Sequence, residues 1–260
     1  MAKSLSGKRI CITRAREQSA RLASLLLEQE AEVVGLPLIE VYPSKERAVL
    51  EEVLEQPGVY DWIVFSSANG VKFFFEALID RCEDLRSIGF ARIACVGNAT
   101  ADAVRSLRLR VDLIPEEATG DALASSLVES GSLDNARVLV VVGNRNRDTL
   151  PRILEENGHA IVDIAEVYET RLADLSKSGV AKEFRQKGAD AILFTSASTV
   201  EAFVEQAESL KLAAGAAIPK AFSIGPMTSE ALASAGIPLH AQAVDASLGS
   251  LVKVVAEKLQ

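Results

Sequence analysis

The stretch DWIVFSSANGVKFFFEAL, Asp61 to Leu78, returns 129 residues later as DAILFTSASTVEAFVEQA, Asp190 to Ala207, with 8 of 18 positions identical. Each copy is a short apolar run, then a cluster of small hydroxyl residues, then apolar residues at helical spacing. That order predicts a buried strand turning directly into a helix. Two further correspondences keep almost the same offset. ACVGNATADAV (94–104) and FSIGPMTSEAL (222–232) pair Gly97 and Thr100 with Gly225 and Thr228, 128 residues apart. EVY at 40–42 recurs at 166–168, an offset of 126. The chain is therefore expected to hold two related α/β units of about 125–130 residues.

The rest of the chain fits the same alternation. KRICIT (8–13) reads as a buried strand, 15–30 as a helix and VVGLPLIEVY (33–42) as extended. WIVFS, RIACVG, RVLVVV, AILFT and KAFSIG are five more compact strands, followed by helix-like stretches at 68–82, 99–107, 146–157, 197–208 and 227–235. Strands apolar on both alternations are buried on both faces, which calls for parallel sheets between helix layers and right-handed βαβ crossovers. The EVY segments fit either of two roles. They are ordinary sheet strands, or they are connectors, in which case one lobe is discontinuous and built from both chain ends.

Composition narrows the function classes. With 260 residues, 48% hydrophobic and 25% charged, the chain has apolar material for two cores. A net charge of −8 argues against nucleic-acid or anionic-membrane binding. No apolar run approaches a membrane span or a secretory core, and cytoplasm is the expected compartment. Cys11, Cys82 and Cys95 are too few and too scattered for a disulfide frame. His159 and His240 have no ligand-spaced partner, so no metal site is expected. The usual nucleotide-binding and hydrolase motifs are missing.

The chemistry must then come from the turns. Strands of an open parallel sheet end at the edge where ligands bind, and each following helix starts with free N–H groups. Ser66, Ser67 and Asn69 in FSSAN, and Thr195, Ser196 and Ser198 in FTSAS, fall at such junctions. Gly97 with Thr100, Gly225 with Thr228, and Thr13 with Arg14 fall there too, as do Gly143, Arg145 and Arg147 of GNRNRD. Capping alone accounts for any one of them. Several converging on one edge would bind carboxylates or phosphates instead. Tyr168 is the candidate for acid–base work, because a phenol donates or accepts a hydrogen bond. Tyr42 holds the matching place in the other repeat, so simple packing of both tyrosines is the competing reading.

Together the fragments ITR, EVYP, D-x-I-x-F-S-S-A-N-G-V, VG-x-x-T-A, G-x-x-x-R-x-x-L, EVYET, FTSAS-x-V and IGPMT resemble uroporphyrinogen-III synthase over essentially all 260 residues. The resemblance implies an α/β protein of two similar doubly wound, flavodoxin-like parallel-sheet lobes, joined by a two-stranded connector with a cleft between them. On that analogy lobe 1 is 1–36 plus 171–260, lobe 2 is 43–163, and the connectors are 37–42 and 164–170. It implies a cofactor-free cyclising hydro-lyase. Hydroxymethylbilane, a linear tetrapyrrole with eight carboxylates, loses water to give an azafulvene. This closes through a spiro intermediate with inversion of ring D, supplying haem, sirohaem, chlorophyll or cobalamin synthesis. The family's tyrosine falls on Tyr168, and its cleft hydroxyls on Ser67, Asn69, Thr100, Ser196, Ser198 and Thr228. Met227 and Ser229 depart from the family's usual small or threonine residues, an expected change in packing and not in activity. A monomer taking its substrate from the preceding pathway enzyme is expected. The competing function is a non-catalytic two-lobed cytoplasmic sensor of a small polyanion.

Overall fold

In the computed structural model the described residues are 5–14, 16–145 and 149–259. They separate into two compact units, Met1–Glu40 with Arg171–Gln260, and Val41–Thr170. In chain order the strands are β1 (Arg9–Ile12), β2 (Glu32–Gly35), β3 (Ile39–Pro43), β4 (Trp62–Phe65), β5 (Arg92–Cys95), β6 (Arg137–Gly143), β7 (Ile161–Leu172), β8 (Ala191–Phe194), β9 (Lys220–Ser223) and β10 (Leu239–Gln242). The helices are α1 (Arg16–Leu27), α2 (Ala48–Glu55), α3 (Ala68–Cys82), α4 (Asn98–Ser106), α5 (Gly120–Glu129), α6 (Thr149–Glu156), α7 (Gly179–Lys187), α8 (Ala197–Glu205), α9 (Pro226–Ser234) and α10 (Leu248–Lys258).

The first unit holds a five-stranded sheet in the order β10-β9-β8-β1-β2, every pair parallel. Its central strands are buried on both faces, as their unbroken apolar sequence requires. Cys11, Ile192 and Phe194 meet Phe184 of α7 and Ala202 of α8 on one side. Ile10, Ile12 and Leu193 meet Leu22 and Leu26 of α1 and Leu251 and Val255 of α10 on the other. The second unit has the order β3-β7-β6-β4-β5, in which β4, β5, β6 and β7 are parallel. Ile63, Phe65, Leu139 and Val141 face Phe74 and Phe75 of α3. Val64, Val138 and Val140 face Leu123 of α5 and Leu154 of α6.

The segment read as one extended stretch, 33–42, is two strands in two sheets. β2 ends at Gly35, and β3 begins at Ile39. Between them Pro37 has no N–H for a ladder, and the amides of Leu36 and Leu38 turn back to the carbonyls of Ile12 and Thr13 at 2.9 and 3.3 Å. Four helices, α2, α5, α7 and α10, also lie outside the stretches picked from sequence. They follow charged or small-residue connections, where neither a strand nor a repeat marks their start.

The sequence repeats do not coincide with the folding units. The first repeat carries β1 to β5 and the second β6 to β10, yet β1 pairs with β8, and β6 pairs with β4. Each sheet is thus assembled from half of each repeat. The equivalence survives this exchange in detail. The backbone of Asp61 bonds Arg137 on one side and Arg92 on the other, and the backbone of Asp190 bonds Arg9 and Lys220 in the same way. The Asp61 carboxylate also accepts the Arg137 N–H at 2.9 Å, and that of Asp190 accepts the Arg9 N–H at 2.7 Å. Beside β5, a parallel bridge from Ala94 to Leu113 stands where β10 stands beside β9.

Phe65 lies at the centre of the second unit, fully buried, with its ring edge-on to Phe74 at 5.7 Å and 66°. Phe65→Ala is expected to lower the unfolding free energy by about 3–5 kcal/mol, read from urea denaturation followed by circular dichroism.

Candidate active site

Parallel strands share a carboxyl-terminal edge, and the polar turns collect there in each sheet. In the second unit that edge carries Ser66 to Asn69 after β4, Gly97 after β5, Gly143 ending β6, and Tyr168 late in β7. In the first unit it carries Thr13 and Arg14 after β1, Thr195 to Ser198 after β8, and Gly225 after β9.

The hydroxyl clusters divide into caps, pins and exposed donors. Ser67 caps α3, accepting the Gly70 N–H at 3.0 Å. Ser196 caps α8, accepting the Thr199 N–H at 3.4 Å, and lies 2.9 Å from Ser198 Oγ. Ser66 donates across the sheet to the Val141 carbonyl at 3.2 Å. Thr13 is fully buried and donates to the Leu193 carbonyl at 2.8 Å, tying β1 to β8. The hydroxyl, expected from sequence to meet a ligand, gives its proton along the sheet.

Thr100 and Thr228 are buried as well. Each stands at the third position after a capping glycine, the position that turns inward in a helix packed on a sheet. Thr199 and Gly70 are buried at the same step of their own helices. What these two turns offer is backbone. Gly97 and Gly225 have extended, not left-handed, backbone and form no side-chain cap, so the first amides of α4 and α9 have no side-chain cap bond. A Cβ on Gly97 would meet Ala118 Cβ at 3.0 Å, which explains that glycine by close packing. Asn69, Thr195, Ser198 and Arg14 are partly exposed at the edges, and burial pulls the Arg14 guanidinium below its ordinary range. Arg145 is exposed. Arg147 lies outside the described residues. At α9, Ser229 bonds both Ser223 Oγ and Gln242 Oε1, at 2.7 and 2.6 Å, and so binds β9 and β10 to the helix start. Met227 is half exposed.

Tyr168 has the most constructed surroundings. β6 and β7 run in register from Arg137 with Ile161 to Val142 with Glu166, and then Gly143 pairs with Tyr168, leaving Val167 as an extra residue. An unbroken strand would put Tyr168 on the face of Val162, toward α5 and α6. The bulge carries it to the face of Val167, against the core beneath α3. There its ring stacks on Phe73, with centroids 6.0 Å apart at 21°, and Tyr168 Oη lies 3.0 Å from Ser67 Oγ. The ring crosses the backbone of Gly143, where a Cβ would fall 2.4 Å from Tyr168 Cζ. Gly143, read from sequence as an approach for a ligand, is the approach for this ring. Tyr42, the repeat counterpart, is 41% exposed in β3. Burial raises the Tyr168 pKa, and the Ser67 hydrogen bond opposes that rise. The phenol is therefore protonated at neutral pH and holds a proton to donate.

Phe73 escaped the sequence reading, because nothing in the run KFFFEAL separates the ring that faces Tyr168 from the two that face the core. Cys11 and Cys95 end up in the sheet interiors. Both are buried, and burial pushes their thiols up, to about 12 at Cys95.

Residues 20–253 match the family model described as uroporphyrinogen-III synthase HemD. The chain belongs to the uroporphyrinogen-III synthase family. It is 32% identical over 231 residues to the porphyrin biosynthesis protein HemD of Ruminiclostridium josui, covering 89% of this chain but 45% of that longer protein. It is 30% identical over 234 residues to the uroporphyrinogen-III synthase of Synechococcus elongatus, covering 86% of this chain and 85% of the relative. A crystal structure of a mutant uroporphyrinogen III synthase from Thermus thermophilus aligns with a TM-score of 0.67 at 19% identity, over 98% of this chain and 99% of that one. The fold is shared with that enzyme, and the family with the two relatives.

Gly143→Ala is expected to push the Tyr168 ring out of its seat. Its ionisation should then move down toward the ordinary value of about 10, followed by tyrosinate absorbance with Tyr168→Phe as reference. The seat also links to stability. A folded-state pKa above the unfolded one contributes stability that is complete below about pH 10 and is lost as pH rises through the folded value. The variant should show a weaker fall in stability across that alkaline range.

Proposed function

We propose that the chain is a uroporphyrinogen-III synthase: it cyclises hydroxymethylbilane to uroporphyrinogen III, with loss of water and inversion of ring D through a spiro intermediate. The observation that carries the residue assignment is Tyr168, a protonated phenol held on a rigid bulge at the polar sheet edge. Family membership supports the reaction.

The chemistry follows from what the substrate needs. Eight carboxylates need many donors, and a protein of net charge −8 has to supply them locally. The polar edge of the second unit offers such donors in the uncapped first turn of α4 and Asn69, and that of the first unit in the first turn of α9, Thr195, Ser196, Ser198 and Arg14. Reaction begins when the electron pair of the pyrrole bearing the hydroxymethyl group expels its hydroxyl. The carbon–oxygen bond breaks, and the phenolic proton of Tyr168 moves to the departing oxygen, which leaves as water. The resulting azafulvene is attacked by the substituted carbon of ring D. Fragmentation of the spiro species and recombination at the free position then close the inverted ring. An azafulvene left alone would close without inversion, so most of the task is conformational, through positioning and exclusion of water. Strong bases are not required for any of these steps.

Among the described residues no helix is long and apolar enough to cross a membrane. A cytoplasmic monomer, receiving its substrate from the enzyme that makes it, is the form proposed.

Supplying hydroxymethylbilane and separating the oxidised porphyrin isomers tests the reading. Type III product above the spontaneous type I background is expected, and type I alone would leave a binding domain. Tyr168→Phe should lower kcat by about 100-fold or more, with KM little changed.

A further inference from the structure

Ser67 makes two hydrogen bonds at once. Its Oγ accepts the Gly70 N–H at 3.0 Å and lies 3.0 Å from Tyr168 Oη. A serine hydroxyl has one proton to give and two lone pairs to receive. The amide can only donate, so it occupies one lone pair and leaves the serine its proton and a second lone pair to face the phenol. We propose that Ser67 is a positioning residue for Tyr168: it donates its own proton to the phenolic oxygen, so that the phenol's proton is directed at the departing hydroxyl of the substrate. This rests on the synthase reading above, and it moves Ser67 from the substrate-binding donors to the support of the catalytic tyrosine.

Three features of the site carry the assignment. The chain of donors runs Gly70 N–H to Ser67, Ser67 O–H to Tyr168, and Tyr168 O–H to substrate, each bond polarising the next. Its origin is the N-terminus of α3, where the partial positive charge favours the phenolate that forms as the proton leaves. The acceptor is held still. Phe73 stacks on one side of the ring, Gly143 leaves no Cβ beneath it, and the Val167 bulge fixes its direction. A phenol held this way has its orientation set before substrate arrives. Ser196, the equivalent cap in the other unit, is bonded to Ser198 Oγ instead, at 2.9 Å.

The proton balance closes within the reaction. The phenolic proton leaves in the water formed when the carbon–oxygen bond breaks. The phenolate, held by the Ser67 O–H, regains a proton released when the final carbon–carbon bond forms at the unsubstituted pyrrole position. No oxidant, reductant or further reactant enters.

Capping and donation to Tyr168 are separable by substitution. Glycine caps a helix nearly as well as serine, and alanine does not. A mere cap predicts that Ser67→Gly stays active while Ser67→Ala suffers. Donation to the phenol predicts equal losses in both, about 10-fold in kcat with KM within about twofold, and recovery in Ser67→Thr. In a Tyr168→Phe background neither Ser67 variant should lower kcat further. Additive losses in that cycle, or a raised KM at unchanged kcat, would overturn the proposal and return Ser67 to substrate binding. A second measurement needs no substrate. Titrating tyrosinate absorbance, with Tyr168→Phe as reference, should place the Tyr168 ionisation at higher pH in Ser67→Gly than in the unmodified protein, because a bond that favours the phenolate is gone. An unshifted titration would refute the bond. If the unmodified protein forms no type III product, the synthase reading fails, and the titration still decides whether Ser67 serves Tyr168.

Discussion

A strand buried on both faces needs neighbours running the same way, and in this chain those neighbours come from the other repeat. β1 lies beside β8 and β6 beside β4, so neither repeat closes a sheet by itself. The joints are alike. An aspartate heads each hydroxyl-ended strand, bonding the strand on either side through its backbone and accepting an arginine amide through its carboxylate. Removing one strand from either sheet would leave a ladder of unpaired amides in an apolar layer, where each costs about 1–3 kcal/mol. The exchange of halves is thus held by the same hydrogen bonds that hold the sheets.

From the parallel arrangement follows the location of the polar turns. All strand ends of one sheet point to one edge, and the next residues must both turn the chain and start a helix. Ser67 and Ser196 serve that need as caps, and glycine serves it at Gly97 and Gly225. Hydroxyls three residues further on point down into the sheet, which is why Thr100 and Thr228 are core residues and the amides above them are the polar surface.

Tyr168 departs from this regular scheme through a single extra residue. Val167 breaks the alternation of β7 and changes the face that carries the phenol. The phenylalanine beside the ring and the serine at its oxygen come from α3 and its cap, while the glycine beneath it comes from β6, far along the chain. The repeat counterpart, Tyr42, has the same EVY neighbours and yet stands on an exposed edge strand. A local motif shared by both copies therefore ends in two different settings, one seated in a packed site and one exposed.

The class of fold, the two-fold repeat, the polar turns and the candidate tyrosine are all legible in the amino-acid order. These are local properties: apolar runs that demand burial, hydroxyls that suit helix starts, and an offset that recurs. Which strands would be neighbours is not legible there, since the deciding contacts join residues far apart in the chain, Ile10 with Ala191 and Trp62 with Val138. Nor does the order separate Thr13, Thr100 and Thr228 from Ser67 and Ser196, because the direction of a side chain at a helix start is decided by the sheet beneath it. The seat of Tyr168 was the least legible part. A bulge is a mismatch between two strands, and Gly143, Val167, Phe73 and Ser67 acquire their roles only once folding brings β6, β7 and α3 together.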